Sequence, residues 1–341
     1  MGSVKDVVIQ EKPEGEKLGT GTFVFSDRYS VFDYGEMPDL IEGKGASLCL
    51  ISAYFFEKME DKGIKNHYRG VVEGNRLKRI DEVEEPSNVM QTKLVRVLEP
   101  SRVNGYDYSI FKREKGNLLI PLEVIYRNVL PPGSSVFKRL DRGEITPEQL
   151  GLDEYPAPGS VLSKPVLDVS TKLESVDRYM SWDEAEEISG LSEDELEELK
   201  KVAHQVNKLI SDETGKAGIR NEDGKFEFAF DNERNLLVVD SVGTPDECRF
   251  SYWGMQISKE ILRIYYRNTE WYNRLEGLKG QKDWKTKAGD PPKLPADWKN
   301  TVSDMYKACC NEVTGLKFFD VDDLGKVVKH IKSLVEDYGG Y

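Results

Sequence analysis

The feature that most constrains the fold is a strict alternation of residue types over positions 225–230. Phenylalanine stands at every second position, so three aromatic rings face one side of a β-strand, and Lys225 and Glu227 face the other. The polar segment 231–235 predicts a turn, and the apolar run that ends at Asp240 predicts the returning strand. The sequence therefore predicts an amphipathic hairpin that brings Asp240 close to Glu227.

Two carboxylates and a lysine on one sheet face are suited to a magnesium–nucleotide complex. Carboxylate oxygens hold the hard cation, and the ammonium group meets the phosphate charge. A solvated face of an ordinary amphipathic hairpin explains the same pattern, so both interpretations stay open at this point. On the first of them, Glu227 and Asp240 are candidate metal ligands, and Lys225 is a candidate phosphate contact.

Four other segments carry side chains suited to anions. Residues 127–139 combine a glycine and two serines with three cations, which suggests an oxyanion site. Asp246 and Arg249 lie in a turn, where they can hold a sugar hydroxyl and a phosphate. Lys44 stands between two glycines before a predicted helix, where phosphate groups can bind. A capped turn before a helix also explains the segment of Asp246 and Arg249, and an ordinary structural role also explains Lys44. A surface ion pair explains the lysine and acids of 170–177.

Charge and composition exclude several classes of function. The chain has 48 Lys and Arg against 61 Asp and Glu, a formal net charge of −13. This argues against duplex nucleic acid or an anionic membrane as a partner, since both require a basic surface. The four cysteines form no CxxC pair and the three histidines are isolated, so neither a zinc site nor a disulfide framework is predicted. No apolar run approaches the roughly 20 residues of a membrane span and the start has no signal-peptide pattern, so we expect a cytoplasmic protein.

The length of 341 residues predicts about two domains. Residues 1–118 are predicted to form short strands with one helix, and residues 119–341 are more helical. Pro121 lies inside the apolar run 118–127, and a buried central strand should not carry a proline in its middle. We therefore predict that the chain crosses between two lobes near Pro121. The Gly-, Pro- and Lys-rich stretch 277–298 predicts an exposed loop.

Spacing and capping residues indicate three helices. Apolar residues recur at intervals of three and four across 45–63, which predicts the first. Capping boxes of the form S-x-x-E begin at Ser181 and Ser192 and predict the other two. The helix after Ser181 is expected to end at Gly190, and the helix after Ser192 near residue 211.

Eight motifs stand in one order along the chain, at residues 2–7, 27–33, 43–45, 121–134, 171–177, 225–228, 240–250 and 291–295. In this order they resemble the SAICAR synthetase family (phosphoribosylaminoimidazole-succinocarboxamide synthases) of purine biosynthesis. Ser3 stands where the family usually has a lysine, and Ser241 stands where it usually has a second acid. Residues 140–165 and 270–290 resemble insertions relative to shorter members.

The resemblance implies an α+β fold of two lobes. The small antiparallel-sheet N-terminal lobe spans 1–118, the larger mixed α/β C-terminal lobe spans 119–341, and ATP lies between them. The implied activity is that of an ATP-dependent ligase that joins L-aspartate to the carboxylate of CAIR (5-amino-1-(5-phosphoribosyl)imidazole-4-carboxylate) and releases SAICAR, ADP and phosphate. ATP and Mg²⁺ are the implied cofactors, and assembly into a homo-oligomer is left open.

The resemblance also assigns roles to individual residues. The implied metal ligands are Glu227 and Asp240, and the implied ATP contacts are Lys5, Leu119 and Ile120. The implied substrate contacts are Arg127, Ser134, Asp246, Arg249, Ser30, Asp33 and Lys44. Of these, Arg127, Ser134 and Arg249 would grip the phosphate of the ribotide. Lys172 and Lys225 are the implied catalytic lysines.

Two alternatives remain at the level of sequence. A paralogous ATP-dependent ligase or kinase would keep the nucleotide half and act on other substrates, and Ser241 supports it. A non-catalytic nucleotide-binding regulator would require the loss of a metal ligand or lysine, yet Lys5, Glu227 and Asp240 are all present.

Overall fold

The structure is a computed structural model that describes residues 5–102 and 105–338. The start of the first motif, including Ser3, therefore lies outside the described residues. The strands are β1 (Lys5–Glu11), β2 (Gly19–Phe25), β3 (Tyr68–Glu73), β4 (Arg76–Lys78), β5 (Val89–Leu94), β6 (Ser101–Arg102), β7 (Tyr106–Asp107), β8 (Leu118–Leu130), β9 (Ser160–Thr171), β10 (Arg220–Phe230), β11 (Leu236–Val239), β12 (Cys248–Tyr252) and β13 (Met255–Gln256). The α-helices are α1 (Lys44–Glu60), α2 (Ser135–Asp141), α3 (Trp182–Ser189), α4 (Glu193–Lys216), α5 (Glu260–Arg267), α6 (Glu270–Leu278), α7 (Trp284–Ala288), α8 (Ala296–Thr314) and α9 (Leu324–Asp337).

Two antiparallel sheets organise the chain. The first has the order β1-β2-β5-β3-β4, and the second has the order β13-β12-β10-β8-β9 with β11 beside β10. Helix α1 packs on the first sheet and against α8, and α4 packs on β8 and β10 of the second. The predicted α+β class is therefore confirmed, while the division of the chain at residue 118 stays a prediction.

Single parallel bridges tie the two sheets together. Asn66, which precedes β3, pairs with Val238 of β11, and Arg96, which follows β5, pairs with Leu118 of β8. The main apolar core also runs through both sheets without a break. The start of β8 and the end of β11 therefore lie where the two sheets meet, which is where the charged residues collect.

The predicted hairpin is confirmed, because β10 and β11 pair with Glu227 opposite Val239. The three phenylalanines of β10 are buried in the main core. The first helix begins and ends within a few residues of its predicted bounds, and Gly190 ends α3 in the left-handed conformation (φ 66°) that favours glycine. Helix α4 continues to Lys216, past its expected end. Of the described helices, none is long and apolar enough to cross a membrane.

The premise of the crossing predicted near Pro121 is wrong, since a central strand does carry this proline, while the crossing itself stays a prediction. Pro121 lies inside β8, which is paired with β10 on one side and β9 on the other. The register of β10 shifts opposite Pro121, between Glu227 and Ala229, and the ladder with β9 begins only at Leu122. Because proline lacks a backbone N–H, it is accepted in a central strand where an irregular register leaves no ladder bond for it to make.

The exposed loop predicted for 277–298 is confirmed only in part, because most of its residues are exposed but several of them lie in helices. The stretch contains the end of α6, the whole of α7 and the start of α8. Asp39 accepts a hydrogen bond from the backbone N–H of Leu294 (2.8 Å), and the Trp271 indole N–H donates to the carbonyl of Gly289 (3.0 Å). Leu294 and Trp298 are buried. The segment is therefore packed onto the protein, although its composition is typical of a loop.

Candidate active site

Three neighbouring strands bring a cluster of opposite charges together. Glu123 of β8 lies opposite Glu227 of β10 and opposite Ser170 of β9. Lys172 follows β9, and its ammonium donates to Glu123 (2.8 Å) and to Glu227 (2.6 Å). Lys225 donates to the same Glu123 oxygen (3.0 Å). The antiparallel register therefore places both predicted catalytic lysines within hydrogen-bond distance of one carboxylate.

Asp240 joins this cluster from the end of β11. Its backbone is in the left-handed region (φ 72°), and its carbonyl oxygen is hydrogen-bonded to Nε2 of His67 (3.1 Å). Its carboxylate forms an ion pair with Lys5 of β1. The hairpin and the first strand thus converge on a carboxylate pair, Glu227 and Asp240, with Lys5 and Lys172 beside it.

The pKa values of Glu227 and Asp240 are shifted in opposite directions. Burial and the negative charge of Asp240 raise the pKa of Glu227 to about 7, against the pull of Lys172 and Lys225. Burial also opposes the ionisation of Asp240, but the charges of Lys5 and Lys172 outweigh it and hold the pKa of Asp240 well below its usual range. Burial and the neighbouring charge of Asp240 therefore favour the protonated form of Glu227, although the Lys172 ammonium lies 2.6 Å from it.

A cavity of about 320 Å³, called here the substrate cleft, adjoins the carboxylate pair. Six of the predicted site residues line it, namely Ser30, Asp33, Arg127, Lys225, Asp246 and Arg249. Glu123 lines it too, and through Lys172 it connects the cleft to Glu227. Neither Glu227 nor Asp240 lines the cleft, so the carboxylate pair borders this cavity without forming its wall.

A row of three charged residues crosses the sheet in the wall of the cleft. Asp223 of β10 lies opposite Arg127 of β8 and opposite Arg249 of β12. One Asp223 oxygen is 3.7 Å from Arg127 Nη1 and 3.4 Å from Arg249 Nη1. The carboxylate lies between the two guanidinium groups, and it holds two like charges side by side in a largely buried wall.

The Arg127 side chain is only 2% exposed. It donates to the carboxylate of Asp168 (3.1 Å) and to the hydroxyls of Ser134 and Ser135 (3.3 Å each). Among the described residues, neither Nε of Arg127 nor Nη1 of Arg249 has a hydrogen-bond partner. Buried cationic N–H groups in this state favour an anion as the missing acceptor.

Lys44 occupies a different place from the other predicted substrate contacts. Its side chain is fully buried (0% exposed), and Nζ lies 2.8 Å from Asp246 Oδ2 and donates to the carbonyl of Arg28 (3.0 Å). It is not part of the cleft wall. Burial opposes the ionisation of Asp246, but Lys44 and Lys259 outweigh it and lower the pKa of Asp246 to about 2. Lys44 therefore stabilises Asp246, which does line the cleft, as an anion.

Leu119 and Ile120, the two apolar residues among the predicted ATP contacts, lie in different apolar clusters. Leu119 belongs to a small apolar cluster with Ala229, Leu237 and Val239, where the two sheets meet. Ile120 is the next residue of the strand, and its side chain lies in the main core instead. Alternation along β8 explains the difference, because successive side chains point to opposite faces of the sheet. Of the two side chains, only that of Leu119 contributes to this apolar surface.

Several site residues were not assigned a role from the sequence. Asp223 could have been found, because it shares the alternating face of Lys225 and Glu227 two positions further along. Glu123 lies in the motif 121–134, from which the sequence assigned it no role. Asp168 left no signal, since its contact with Arg127 joins strands whose pairing is set by the fold. Ser241 donates weakly to Asp240 (3.4 Å), so a hydroxyl stands where a second acid was expected.

The fold and the site define a two-lobed α+β protein with a charge-lined cleft next to a pair of carboxylates. The SAICAR synthetase family model matches residues 2–277. A relative from Archaeoglobus fulgidus, provisionally described as a phosphoribosylaminoimidazole-succinocarboxamide synthase, is 57% identical over 98% of this chain and 100% of its own length. The phosphoribosylaminoimidazole-succinocarboxamide synthase of Thermoplasma acidophilum is 35% identical over 93% of this chain and 98% of its own. The chain belongs to the SAICAR synthetase family.

Solved structures support the fold. The SAICAR synthase of Saccharomyces cerevisiae in complex with SAICAR covers 94% of this chain and 95% of its own, with a TM-score of 0.64 and 24% identity. A SAICAR synthetase in complex with ADP covers 92% of this chain and 97% of its own, with a TM-score of 0.60 and 21% identity. At these identities the likeness concerns the two-lobed fold.

Proposed function

We propose that this chain catalyses the reaction of its family, the ATP-dependent joining of L-aspartate to the carboxylate of CAIR, which gives SAICAR, ADP and phosphate in purine biosynthesis. One observation carries the assignment of this reaction to the substrate cleft. The cleft holds two arginines with unpartnered N–H groups, and it adjoins a carboxylate pair flanked by lysines. ATP, CAIR and aspartate are all anionic, so the cations of this site support the proposal that all three bind here.

The chemistry explains why ATP is needed. A carboxylate is a poor acyl donor, because its leaving group would be oxide. When an oxygen of the CAIR carboxylate attacks the γ-phosphorus of ATP, ADP leaves and an acyl phosphate forms. The amine of aspartate then attacks the acyl carbon, the amide bond forms, and phosphate leaves. Lysines near the γ-phosphate stabilise the negative charge that develops on its oxygens.

Mg²⁺ fits the donors that are present. No three His, Cys, Asp or Glu side chains form a ready-made metal site in the part of the chain that the structure describes. Mg²⁺ in nucleotide sites commonly takes one or two carboxylates, with phosphate oxygens and waters completing its shell. Glu227 supplies a buried carboxylate and Asp240 a partly exposed one (23%), and the raised pKa of Glu227 marks a place where added positive charge is favourable. These two residues would hold the ion, which would screen charge on the phosphates.

The neighbouring residues complete the nucleotide side of the proposal. Lys5 would meet ATP phosphate, since its ammonium already lies beside Asp240. The apolar cluster around Leu119 would take the adenine, and the backbone of Ile120 would border it. Lys172 would connect the metal side to the substrate cleft, because it contacts both Glu227 and Glu123.

On the other side of the cleft, Arg127, Ser134 and Arg249 would hold the 5′-phosphate of CAIR. Asp246 and Lys225 would contact the ribotide nearer the reacting group. We assign aspartate to the region of Ser30 and Asp33, which line the same cavity from the first lobe. A homo-oligomeric state and a cytoplasmic location stay predictions.

Product formation by the purified protein tests the proposed function directly. We expect SAICAR to form from CAIR, ATP and L-aspartate in the presence of Mg²⁺, with one ADP released for each SAICAR. Omitting CAIR or aspartate should stop product formation. ADP release that does not depend on CAIR or aspartate would point to the paralogous ligase or kinase instead.

Replacing Arg249 by alanine should lower kcat/KM for CAIR by roughly 10- to 150-fold, the equivalent of one charge-assisted hydrogen bond. A guanidinium can bind two phosphate oxygens at once, which alanine cannot replace. The KM for ATP should change much less. The measurement is steady-state kinetics with CAIR and with its dephosphorylated nucleoside, for wild type and Arg249→Ala.

Arg79→Ala is the control, because Arg79 pairs with Glu57 and Glu60 and does not line the cleft. This variant should retain wild-type kinetics with both substrates. If Arg249→Ala impairs the nucleoside as strongly as the ribotide, Arg249 supports the sheet through Asp223 and does not bind phosphate.

A further inference from the structure

Helix α8 reaches the site from a part of the chain that follows the family match, which ends at residue 277. Tyr306 lies in the middle of this helix and is fully buried (0% exposed). Its hydroxyl donates a hydrogen bond to Asp246 Oδ1 at 2.7 Å. A residue of the C-terminal helices therefore contacts the carboxylate of Asp246, a residue that lines the substrate cleft and whose side chain is only 2% exposed.

The other oxygen of Asp246 is held from the opposite direction. Lys44 Nζ lies 2.8 Å from Asp246 Oδ2, and the same ammonium lies 5.7 Å from the centre of the Tyr306 ring. Three distant segments, the start of α1, the turn before β12 and the middle of α8, thus meet at one carboxylate. Oδ1 accepts the Tyr306 hydrogen bond, whereas Oδ2 has the Lys44 ion pair but no hydrogen-bond partner among the described residues. The two contacts together restrict the orientation of the Asp246 carboxylate.

The position of α8 is itself fixed at this point. Ser303, one turn before Tyr306, donates a hydrogen bond to the carbonyl of Glu42 at 2.6 Å, just before α1 begins. Helices α1 and α8 pack against each other. The phenol is therefore delivered by a helix fixed against α1, and it reaches Asp246 in the turn before β12.

A fixed orientation matters for a carboxylate that contacts substrate. Reacting groups must be held within a fraction of an ångström of their productive positions, and the supporting contacts provide this precision. We propose that Tyr306 is a positioning residue that orients Asp246 toward the ribotide, so that the C-terminal helices complete the active site. The inference rests on the proposed function, because Asp246 acts there as a substrate contact.

The test uses the full-length chain and a double-mutant cycle. Tyr306→Phe keeps the ring and removes only the donor, so we expect kcat/KM for CAIR to fall about tenfold, the lower range for a hydrogen bond to a charged group. The KM for ATP should stay nearly unchanged. Tyr54→Phe is the matched control, because the Tyr54 hydroxyl donates to the carboxylate of Glu213 at 2.8 Å away from the cleft. It should lose a similar amount of stability and no activity.

The Asp246→Asn background separates positioning from a general structural effect. If Tyr306 acts through Asp246, adding Tyr306→Phe to Asp246→Asn should cause little further loss of kcat/KM for CAIR. The same tenfold loss in both backgrounds, or wild-type kinetics of Tyr306→Phe, would overturn the inference. If the single variant does not fold, the comparison of Asp246→Asn with the double variant still decides, because the negative charge that Tyr306→Phe would leave without its hydrogen-bond donor is absent from both.

The two failures are distinguishable. If wild type forms no SAICAR, the proposed function is wrong, and the role of Tyr306 in that reaction is wrong with it. If wild type is active and Tyr306→Phe matches it, only the inference about Tyr306 fails.

Discussion

Glu227→Gln should lower kcat by at least about 100-fold, since even the loss of a partner that only supports a metal ligand costs 10- to 100-fold. Glutamine keeps the size of the side chain and one oxygen, but it removes the charge that would bind Mg²⁺. The loss should be partly recovered by raising the Mg²⁺ concentration, because on the proposed assignment the remaining carboxylate of Asp240 would still bind the ion weakly. The measurement is turnover as a function of Mg²⁺ concentration for both proteins.

The matched control is Glu233→Gln, in the turn of the same hairpin. Glu233 is exposed and accepts only a hydrogen bond from Asn235 (3.3 Å), so this variant should behave as wild type. Thermal unfolding of both variants checks that the hairpin remains folded. A Glu227→Gln protein with an unchanged magnesium dependence would show that Glu227 is not a metal ligand, and that its contact with Lys172 is structural.

Lys44→Met should lower the free energy of unfolding by about 3–5 kcal/mol, the usual result of removing one partner from a buried ion pair. Methionine fills a similar volume, so the loss comes from Asp246, whose negative charge would remain buried without its closest cation. Urea denaturation of the purified variant measures the change. Activity should fall as well, because Asp246 would lose the contact that fixes one of its oxygens.

Two further variants test whether the stability loss of Lys44→Met comes from the buried charge of Asp246. Lys216 pairs with Glu213, and the Lys216 side chain is 68% exposed. Lys216→Met should therefore lower the free energy of unfolding by at most about 1 kcal/mol. Lys44→Met combined with Asp246→Asn removes both charges, so it should regain much of the stability that the single variant loses. A single variant as stable as the Lys216 control would mean that Asp246 is compensated by Lys259 and Tyr306 alone.

The local pattern determined the parts of the fold that depend on neighbouring residues. Alternation over 225–230 and the turn at 231–235 were enough for the hairpin, because a period of two can bury only one face of a strand. The capping box at Ser192 located the start of α4, since its side chain meets backbone N–H groups within the same turn. The order of the motifs was enough to identify the family, because it does not depend on how the segments pack.

The tertiary structure decided what depends on contacts between distant segments. Composition predicted a loop at 277–298, but Asp39 anchors the backbone of this segment at Leu294. Pro121 predicted a break in the strand, but a shifted register accommodates the proline inside β8. Asp223 became the partner of Arg127 and Arg249 only when β8, β10 and β12 aligned.

The contact of Lys44 and Tyr306 with Asp246 joins residues about 200 and 60 positions away from it in the sequence. Local sequence preferences extend over a turn or a strand pair, and they carry no information on which distant side chains will meet. The sequence by itself therefore determined the hairpin, several helices and the family. The pairing of the buried charges, which gives the cleft its chemistry, was decided by the packing of the two sheets and helix α8, because a buried charge is stable only where the fold supplies a partner.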